Sequence, residues 1–238
     1  METVYFVGAG PGDPDLITVR GMRLLEEADL LIYAGSLVNP ELVARSGAAE
    51  KLNSHGMSLG ELVDAMYSAA RRGRRVVRLH SGDPALYGAI VEQIADLEAL
   101  GVTVEVVPGV SSMFGAAAVL RTQLTLRGVS ESVIITRPAG ATLERDEIPA
   151  LSRMGATMVI FLGTEHLESI TARLECPPKT PAAVVYHATW PDQQVIIGTV
   201  EDIARQARDA GITRTALLIV GEVVRSAAAG FEHSVLYS

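Results

Sequence analysis

Two glycine-rich segments place acidic side chains where a bound ligand could meet them. Residues 8–14 (GAGPGDP) and 80–84 (HSGDP) each follow a short apolar run typical of a strand. Glycine allows a backbone to approach a ligand closely, and carboxylates such as Asp13 and Asp83 suit a cationic ligand better than a phosphate. Aspartate is also an ordinary helix cap, and a glycine turn is a common connector. The residues alone leave both interpretations open.

The first glycine segment does not match the common nucleotide-binding fingerprints. A dinucleotide site requires G-x-G-x-x-G, and Asp13 stands where the third glycine should be. An acidic side chain at that position would also repel a pyrophosphate. The chain contains no G-x-x-x-x-G-K-[ST] run, which excludes a P-loop.

Other chemistry-bearing residues form no recognised constellation. The histidines show no H-x-H or i, i+4 pairing and the chain has a single cysteine, so we predict no metal site. Asp146 and Glu147 are simplest to interpret as solvated helix faces. The sequence selects no catalytic residue.

The elements that must position these segments alternate between strand and helix. Apolar runs at residues 3–7, 30–33, 75–79 and 102–106 are separated by helical patterns, which predicts parallel strands with right-handed crossovers. Ser58 and Glu61 predict a capping box, and Gly73 predicts the end of that helix. After residue 125 the pattern changes: a strand at 194–197 follows its neighbour through a turn too short for a helix, which predicts an antiparallel pair. We predict a helix over 199–210.

These patterns predict two α/β domains, 1–125 and 126–238, with parallel to mixed sheets and a ligand cleft between them. The 238 residues are 48% hydrophobic and carry a net charge of −8, which argues against a nucleic-acid surface. No apolar run approaches the ~18 residues that span a bilayer. The lone Cys176 and the lack of a leader pattern predict a cytoplasmic protein with no membrane contact.

The order of several motifs resembles the tetrapyrrole (corrin/porphyrin) methylases over nearly the whole chain. Besides the glycine segments, the matching stretches are residues 107–112 (VPGVSS), 136–140 (TRPAG), 159–164 (VIFLGT), 183–193 and 216–224 (ALLIVGEVV). Residues 33–43 (YAGSLVNPELV) resemble the branch that methylates carbon 11 of precorrin-4 in cobalamin synthesis. The branch assignment depends largely on this stretch.

The resemblance implies S-adenosylmethionine (SAM) as cofactor, with S-adenosylhomocysteine as its product, held between the domains mostly by backbone groups. The implied cofactor contacts are Pro11, Ser81, Gly82, Asp83, Leu86, Ser111, Ser112, Leu162, Ala183 and Ala216. The implied substrate is precorrin-4 or its cobalt complex, a polycarboxylate, and the family commonly forms homodimers. Candidate substrate residues are Asp13, Tyr33, Ser36, Arg121, Arg127 and Arg137, the arginines because guanidinium pairs with carboxylate.

Three other interpretations are open at this point. A methylase of the same superfamily could act at another ring position or on another target. A nucleotide-binding oxidoreductase is disfavoured by Asp13, and a ligand-binding protein that has lost turnover would keep the fold alone. The sequence does not distinguish a cobalt-loaded substrate from a metal-free one, because the metal would arrive inside the macrocycle.

Overall fold

The computed structural model describes residues 2–140 and 143–225; His233 lies outside the described residues. Contacts divide the chain into two compact units, residues 1–112 and 113 onward. The domain boundary after residue 125 stays a prediction. Within the described ranges, no helix is long and apolar enough to cross a membrane.

The first unit is a five-stranded parallel sheet of order β3-β2-β4-β1-β5, as the alternating pattern predicts. Its strands are β1 (Val4–Gly8), β2 (Leu30–Tyr33), β3 (Glu50–Asn53), β4 (Val76–His80) and β5 (Val104–Val107). Its helices are α1 (Val19–Glu26), α2 (Pro40–Arg45), α3 (Leu59–Arg71) and α4 (Val91–Ala99). Strand β3 and helix α2 carry weak patterns and were not predicted.

Both faces of this sheet are buried. Alternate residues of one strand, such as Val76 and Val77, belong to different apolar clusters. Met66 of α3 and Leu97 of α4 pack on one face, and Leu25 of α1 packs on the other. A parallel sheet covered on both sides requires near-continuous apolar strands, which is why these segments were readable from the sequence.

Local signals at the ends of α3 are confirmed. The Ser58 side chain accepts the Glu61 N–H while the Glu61 carboxylate accepts the Ser58 N–H, so the capping box is complete. The helix ends at Arg71, and Gly73 follows with φ +76°. A left-handed residue at this position favours glycine.

The second unit contains a mixed five-stranded sheet of order β6-β7-β10-β8-β9. Its strands are β6 (Val133–Thr136), β7 (Thr157–Ile160), β8 (Pro181–Tyr186), β9 (Gln194–Thr199) and β10 (Ala216–Val220). The helices are α5 (Ser112–Val119, which begins at the last residue of the first unit), α6 (Ile148–Ser152), α7 (Leu167–Arg173) and α8 (Ile203–Asp209). Strand β6 runs parallel to β7, and the predicted antiparallel pairing of β8 with β9 is confirmed.

Two sequence interpretations in this unit are wrong. Helix α8 begins at Ile203, because Thr199 ends β9 and its N–H and hydroxyl both donate to Asp202 Oδ1. Asp146 is not a solvated side chain: it is almost fully buried and accepts the N–H groups of Ala139 and Ile148 as well as Arg173. Burial raises the pKa of Asp146, but these hydrogen bonds outweigh it and leave that pKa below its usual value.

Candidate functional site

The carboxyl ends of β1 and β4 form a topological switch point in the first sheet. The strands are neighbours, but the chain leaves β1 toward β2 on one side and leaves β4 toward β5 on the other. In open parallel sheets, ligands bind outside the carboxyl ends of the strands at such a point. The two glycine segments follow these two strands, so the fold places both at this position.

Three backbone loops touch one another at this point, and glycine makes the contact possible. Gly10 and Gly82 form an antiparallel bridge, with N···O distances of 3.2 and 2.9 Å. A Cβ on Gly109, in the loop after β5, would lie 2.2 Å from Gly82 O and 2.7 Å from Gly8 Cα. No real side chain fits at these distances. The loops therefore present backbone groups rather than side chains at their junction.

The acids of both glycine segments bind the protein's own backbone. Asp83 Oδ2 accepts the Gly109 N–H at 2.8 Å, and its Oδ1 accepts the Ala85 N–H at 2.8 Å. Asp13 Oδ1 accepts the Asp15 N–H at 2.9 Å and caps the short 3-10 turn that follows. This geometry favours a loop-bracing role for both carboxylates over capture of a cationic ligand.

The structure brings together the cofactor contacts implied for the first unit. A Cβ on Gly82 would lie 3.6 Å from both Ser111 Cα and Ser112 N, so the loops after β4 and β5 are adjacent. Ser111 is buried, and Leu86 lies in the turn that Asp83 closes, with its N–H donating to the Asp83 carbonyl. These residues, with Pro11 and Ser81, surround one junction. Their contact with a cofactor stays a prediction.

The YAGSLVNPELV stretch is fastened to the first glycine loop by a residue that the sequence did not single out. Asn39 Nδ2 donates to the Gly12 carbonyl at 2.9 Å, while its Oδ1 caps α2 by accepting the Glu41 N–H. Tyr33 ends β2 half-buried, and Ser36 lies in the short 3-10 turn Gly35–Leu37. The sequence could have indicated the helix-capping role of Asn39, because asparagine precedes Pro40. Its hydrogen bond to Gly12 could not be predicted, because the two residues are 27 positions apart.

Two polar side chains, those of Arg78 and His80, are buried on β4, the strand that leads into the second glycine segment. Arg78 and His80 are 5% and 4% exposed, and His80 stacks on Phe6 with ring centroids 5.7 Å apart. No carboxylate of the described chain forms an ion pair with Arg78, and burial lowers its pKa to about 10. Burial, with a smaller effect from Arg78, lowers the pKa of His80 from 6.5 to about 3. His80 Nε2 has no hydrogen-bond partner within the described ranges.

We expect His80 to make folding stability pH-dependent. The folded protein keeps His80 neutral, whereas the unfolded chain takes up a proton below about pH 6.5. Stability is therefore unaffected at higher pH and falls as the pH drops from 6.5 toward 3. This residue should account for about 2 kcal/mol of lost stability between about pH 8 and about pH 5.

Urea unfolding at several pH values, compared between wild type and His80→Leu, measures this effect. The variant removes the titrating ring and leaves an apolar side chain in an apolar site. An equally steep loss of stability in His80→Leu would assign the pH dependence to other groups.

The second unit gathers further predicted residues at one edge of its sheet, here called the second-sheet edge. It comprises the ends of four neighbouring strands, marked by Arg137 after β6, Leu162 after β7, Ala216 at the start of β10 and Tyr186 at the end of β8. Thr164 joins two of these ends: its hydroxyl donates to the Ala216 carbonyl at 2.9 Å and accepts the Ala216 N–H at 3.0 Å.

The remaining predicted residues of this unit are not gathered at that edge. Ala183 is fully buried within β8, three residues before Tyr186. Arg127 lies in the turn before β6 and Arg137 follows that strand, so the length of β6, about 13 Å for four residues, separates them. Arg121 is exposed just after α5, with φ +52°. The three arginines therefore do not form one cluster on a single strand end.

Sequence comparisons place the chain among known methyltransferases. A family model for the tetrapyrrole (corrin/porphyrin) methylases matches residues 3–204. The chain is 49% identical over 227 residues to a cobalt-precorrin-4 C(11)-methyltransferase of Methanocaldococcus jannaschii, covering 93% of this chain and 88% of the relative. It is 46% identical over 239 residues to a precorrin-4 C(11)-methyltransferase of Pseudomonas aeruginosa, covering 99% and 95%.

Solved structures agree with this placement. A cobalt precorrin-4 methyltransferase of cobalamin biosynthesis superposes with a TM-score of 0.89 at 42% identity, covering 93% of this chain and 95% of that one. A uroporphyrin-III C-methyltransferase of Thermus thermophilus, complexed with S-adenosylhomocysteine, superposes with a TM-score of 0.82 at 32% identity, covering 94% and 99%.

Proposed function

This chain belongs to the tetrapyrrole (corrin/porphyrin) methylases, and we propose that it transfers the methyl group of SAM to carbon 11 of precorrin-4 or cobalt-precorrin-4. The observation that carries the proposal is identity of 46–49% over nearly the full chain to enzymes named for that reaction. The YAGSLVNPELV stretch supports the same branch, and Asn39 fastens it to the first glycine loop.

The loops of the first unit fit a cofactor recognised by backbone groups. A Cβ on Gly8 or Gly109 would collide with backbone atoms that include Gly82 O, so backbone N–H and C=O groups line the junction. Pro11, Ser81, Gly82, Asp83, Leu86, Ser111 and Ser112 are the proposed cofactor contacts here. Leu162, Ala183 and Ala216 are the proposed contacts from the second unit. When bound, SAM supplies a methyl group already activated by its positive sulfonium.

The chain's task in this reaction is to hold the reacting carbon and the methyl group at attack distance. Orientation of this kind supplies about 7–11 kcal/mol, and an activated methyl group demands no strong acid or base. Asp13 and Asp83, the acids nearest the glycine loops, are engaged by backbone N–H groups, which supports a positioning role. Tyr33, Ser36 and Asp13 stay proposed substrate residues. We further propose a homodimer, as the family resemblance implies, and a cytoplasmic location, which the single Cys176 favours.

The proposal is tested by calorimetric titration with S-adenosylhomocysteine, using NADH as the control ligand. Binding of S-adenosylhomocysteine alone, followed by one added methyl group on enzymatically prepared precorrin-4 with or without cobalt, is the expected result. NADH binding alone would contradict the cofactor. A methyl group at another ring carbon would contradict the branch, and the rate with and without cobalt would decide the natural substrate.

Arg137 offers a separate test of substrate recognition. It follows β6 at the second-sheet edge and is half-buried, where a guanidinium can pair with a substrate carboxylate. We expect Arg137→Ala to weaken tetrapyrrole binding about tenfold and to leave S-adenosylhomocysteine affinity unchanged. Arg145, on the same unit, gives a matched control as Arg145→Ala. Unchanged substrate affinity in the Arg137 variant would contradict the assignment.

A further inference from the structure

The second-sheet edge contains a histidine whose orientation is set by a carboxylate. His187 follows β8, and its Nδ1 lies 3.0 Å from both Oδ1 and Oδ2 of Asp192. The hydrogen bond from His187 lowers the pKa of Asp192, so the carboxylate is ionised at neutral pH. An ionised carboxylate only accepts hydrogen bonds, so Nδ1 carries the proton. No residue of the described chain bonds to the other ring nitrogen, Nε2.

Two aromatic rings stack against the same imidazole. Tyr186 stacks on His187 with centroids 3.8 Å apart, and Trp190 stacks with centroids 4.9 Å apart. Aromatic faces and a carboxylate each attract positive charge. Asp192 occupies Nδ1, and the His187 side chain keeps 18% exposure through which a ligand can reach the ring.

The backbone around this ring is held in costly conformations. His187 has φ +46°, Thr189 has φ +70°, and Thr215, whose carbonyl accepts the His187 N–H, has φ +58°. Leu162, at the neighbouring strand end, has φ +54°. Each non-glycine residue in this region costs about 1–3 kcal/mol, and such strain is concentrated at functional sites. All four residues lie at the ends of these strands or in the turn that follows β8.

We infer that His187, oriented by Asp192 and stacked against Tyr186 and Trp190, is an anchoring residue that binds a peripheral carboxylate of the tetrapyrrole through Nε2. This inference rests on the proposed function, because it names a substrate group for the same site. A protein of net charge −8 needs local cations to hold a polycarboxylate. In this proposal His187 donates Nδ1–H to Asp192 and Nε2–H to the substrate carboxylate, so the ring carries a positive charge in the complex.

The position of His187 complements that of Arg137. Three strand spacings, from β6 through β7 and β10 to β8, separate the two strand ends. At about 4.8 Å a spacing, this is roughly 14 Å. In this proposal Arg137 and His187 hold different carboxylates of one large ligand, and the strand ends marked by Leu162 and Ala216 lie between them.

The test compares His187→Asn and His187→Lys with wild type. Asparagine tolerates a left-handed backbone and offers Nδ2 to Asp192 in place of Nδ1, but it carries no charge. Lysine restores a cation without imidazole chemistry. Affinity is measured by fluorescence titration with uroporphyrin III, a stable tetrapyrrole polycarboxylate, and by calorimetry with S-adenosylhomocysteine. His166→Asn, which alters an exposed histidine of the same unit, is the matched control.

We expect His187→Asn to weaken uroporphyrin binding about tenfold and His187→Lys to recover most of it, with S-adenosylhomocysteine affinity unchanged in both. Wild-type uroporphyrin affinity in His187→Asn would overturn the inference. So would a loss of turnover on precorrin-4 without a loss of affinity and without recovery by lysine, because that pattern belongs to a proton acceptor.

The same measurements distinguish failure of the proposed reaction from failure of the His187 site. A wild-type protein that binds uroporphyrin but adds no methyl group to precorrin-4 contradicts the proposed reaction, while the His187 titrations still decide the carboxylate site. A wild-type protein that binds no tetrapyrrole overturns both.

Discussion

Replacing Gly109 with alanine is expected to destabilise the protein by about 3 kcal/mol and to abolish measurable S-adenosylhomocysteine binding. The added Cβ would lie 2.2 Å from Gly82 O and 2.7 Å from Gly8 Cα, and both neighbours are backbone atoms that no rotamer change can move. The loops after β1, β4 and β5 must then separate. Differential scanning calorimetry should show Tm lowered by roughly 6–12 °C.

Gly60→Ala is the matched control for this substitution. Gly60 lies in the first turn of α3, in the same unit, and nothing lies within 4 Å of the Cβ position. Alanine favours a helix, so Tm should stay the same or rise slightly. Wild-type Tm and cofactor affinity in Gly109→Ala would contradict this prediction. The loops would then separate at little cost, and the close contact of Gly109 with Gly8 and Gly82 would not be needed for cofactor binding.

Asp83→Ala is expected to remove about 2–3 kcal/mol of stability and to weaken S-adenosylhomocysteine binding more than tenfold. The substitution leaves the Gly109 and Ala85 N–H groups without the carboxylate that each donates to at 2.8 Å. Asp83→Asn should also be harmful, because an amide has one acceptor oxygen and its NH2 group would face one of these two N–H donors. Urea unfolding and calorimetry measure the two effects.

Asp96→Ala, which alters an exposed aspartate of α4, is the control for loss of a negative charge in this unit. It should change neither stability nor cofactor affinity. If Asp83→Asn kept wild-type stability but lost the cofactor, the bracing role would be contradicted. Direct contact between the carboxylate and the cofactor would then explain the loss.

Elements with strong local signals were predictable. The strands of the first unit are buried on both faces and are therefore apolar throughout, so β2 was predicted at its observed bounds. The capping box at Ser58 needs only residues three apart. Strand β3 was not predicted because it is largely exposed and therefore carries no apolar run.

Side-chain roles were less predictable than elements, because polar partners are distant in sequence. Asp146 resembles an ordinary surface acid in the sequence, yet its side chain is buried and accepts hydrogen bonds from Arg173 and two backbone N–H groups. Asn39 reads as a helix cap, and its second bond, to Gly12, crosses 27 positions. His187 is different: its partners Tyr186, Trp190 and Asp192 lie within five positions, but no motif marks such a group.

The sequence by itself determined the α/β class, the parallel first sheet, the family and the glycine segments, because each depends on periodicity or motif order along the chain. Only the tertiary structure decided that Gly8, Gly82 and Gly109 touch, and that Arg137, Leu162, Ala216 and His187 share one edge. The physical reason is strand order. Which strands become neighbours in a sheet depends on how the apolar faces pack across the whole unit. The local sequence around each strand does not encode that order.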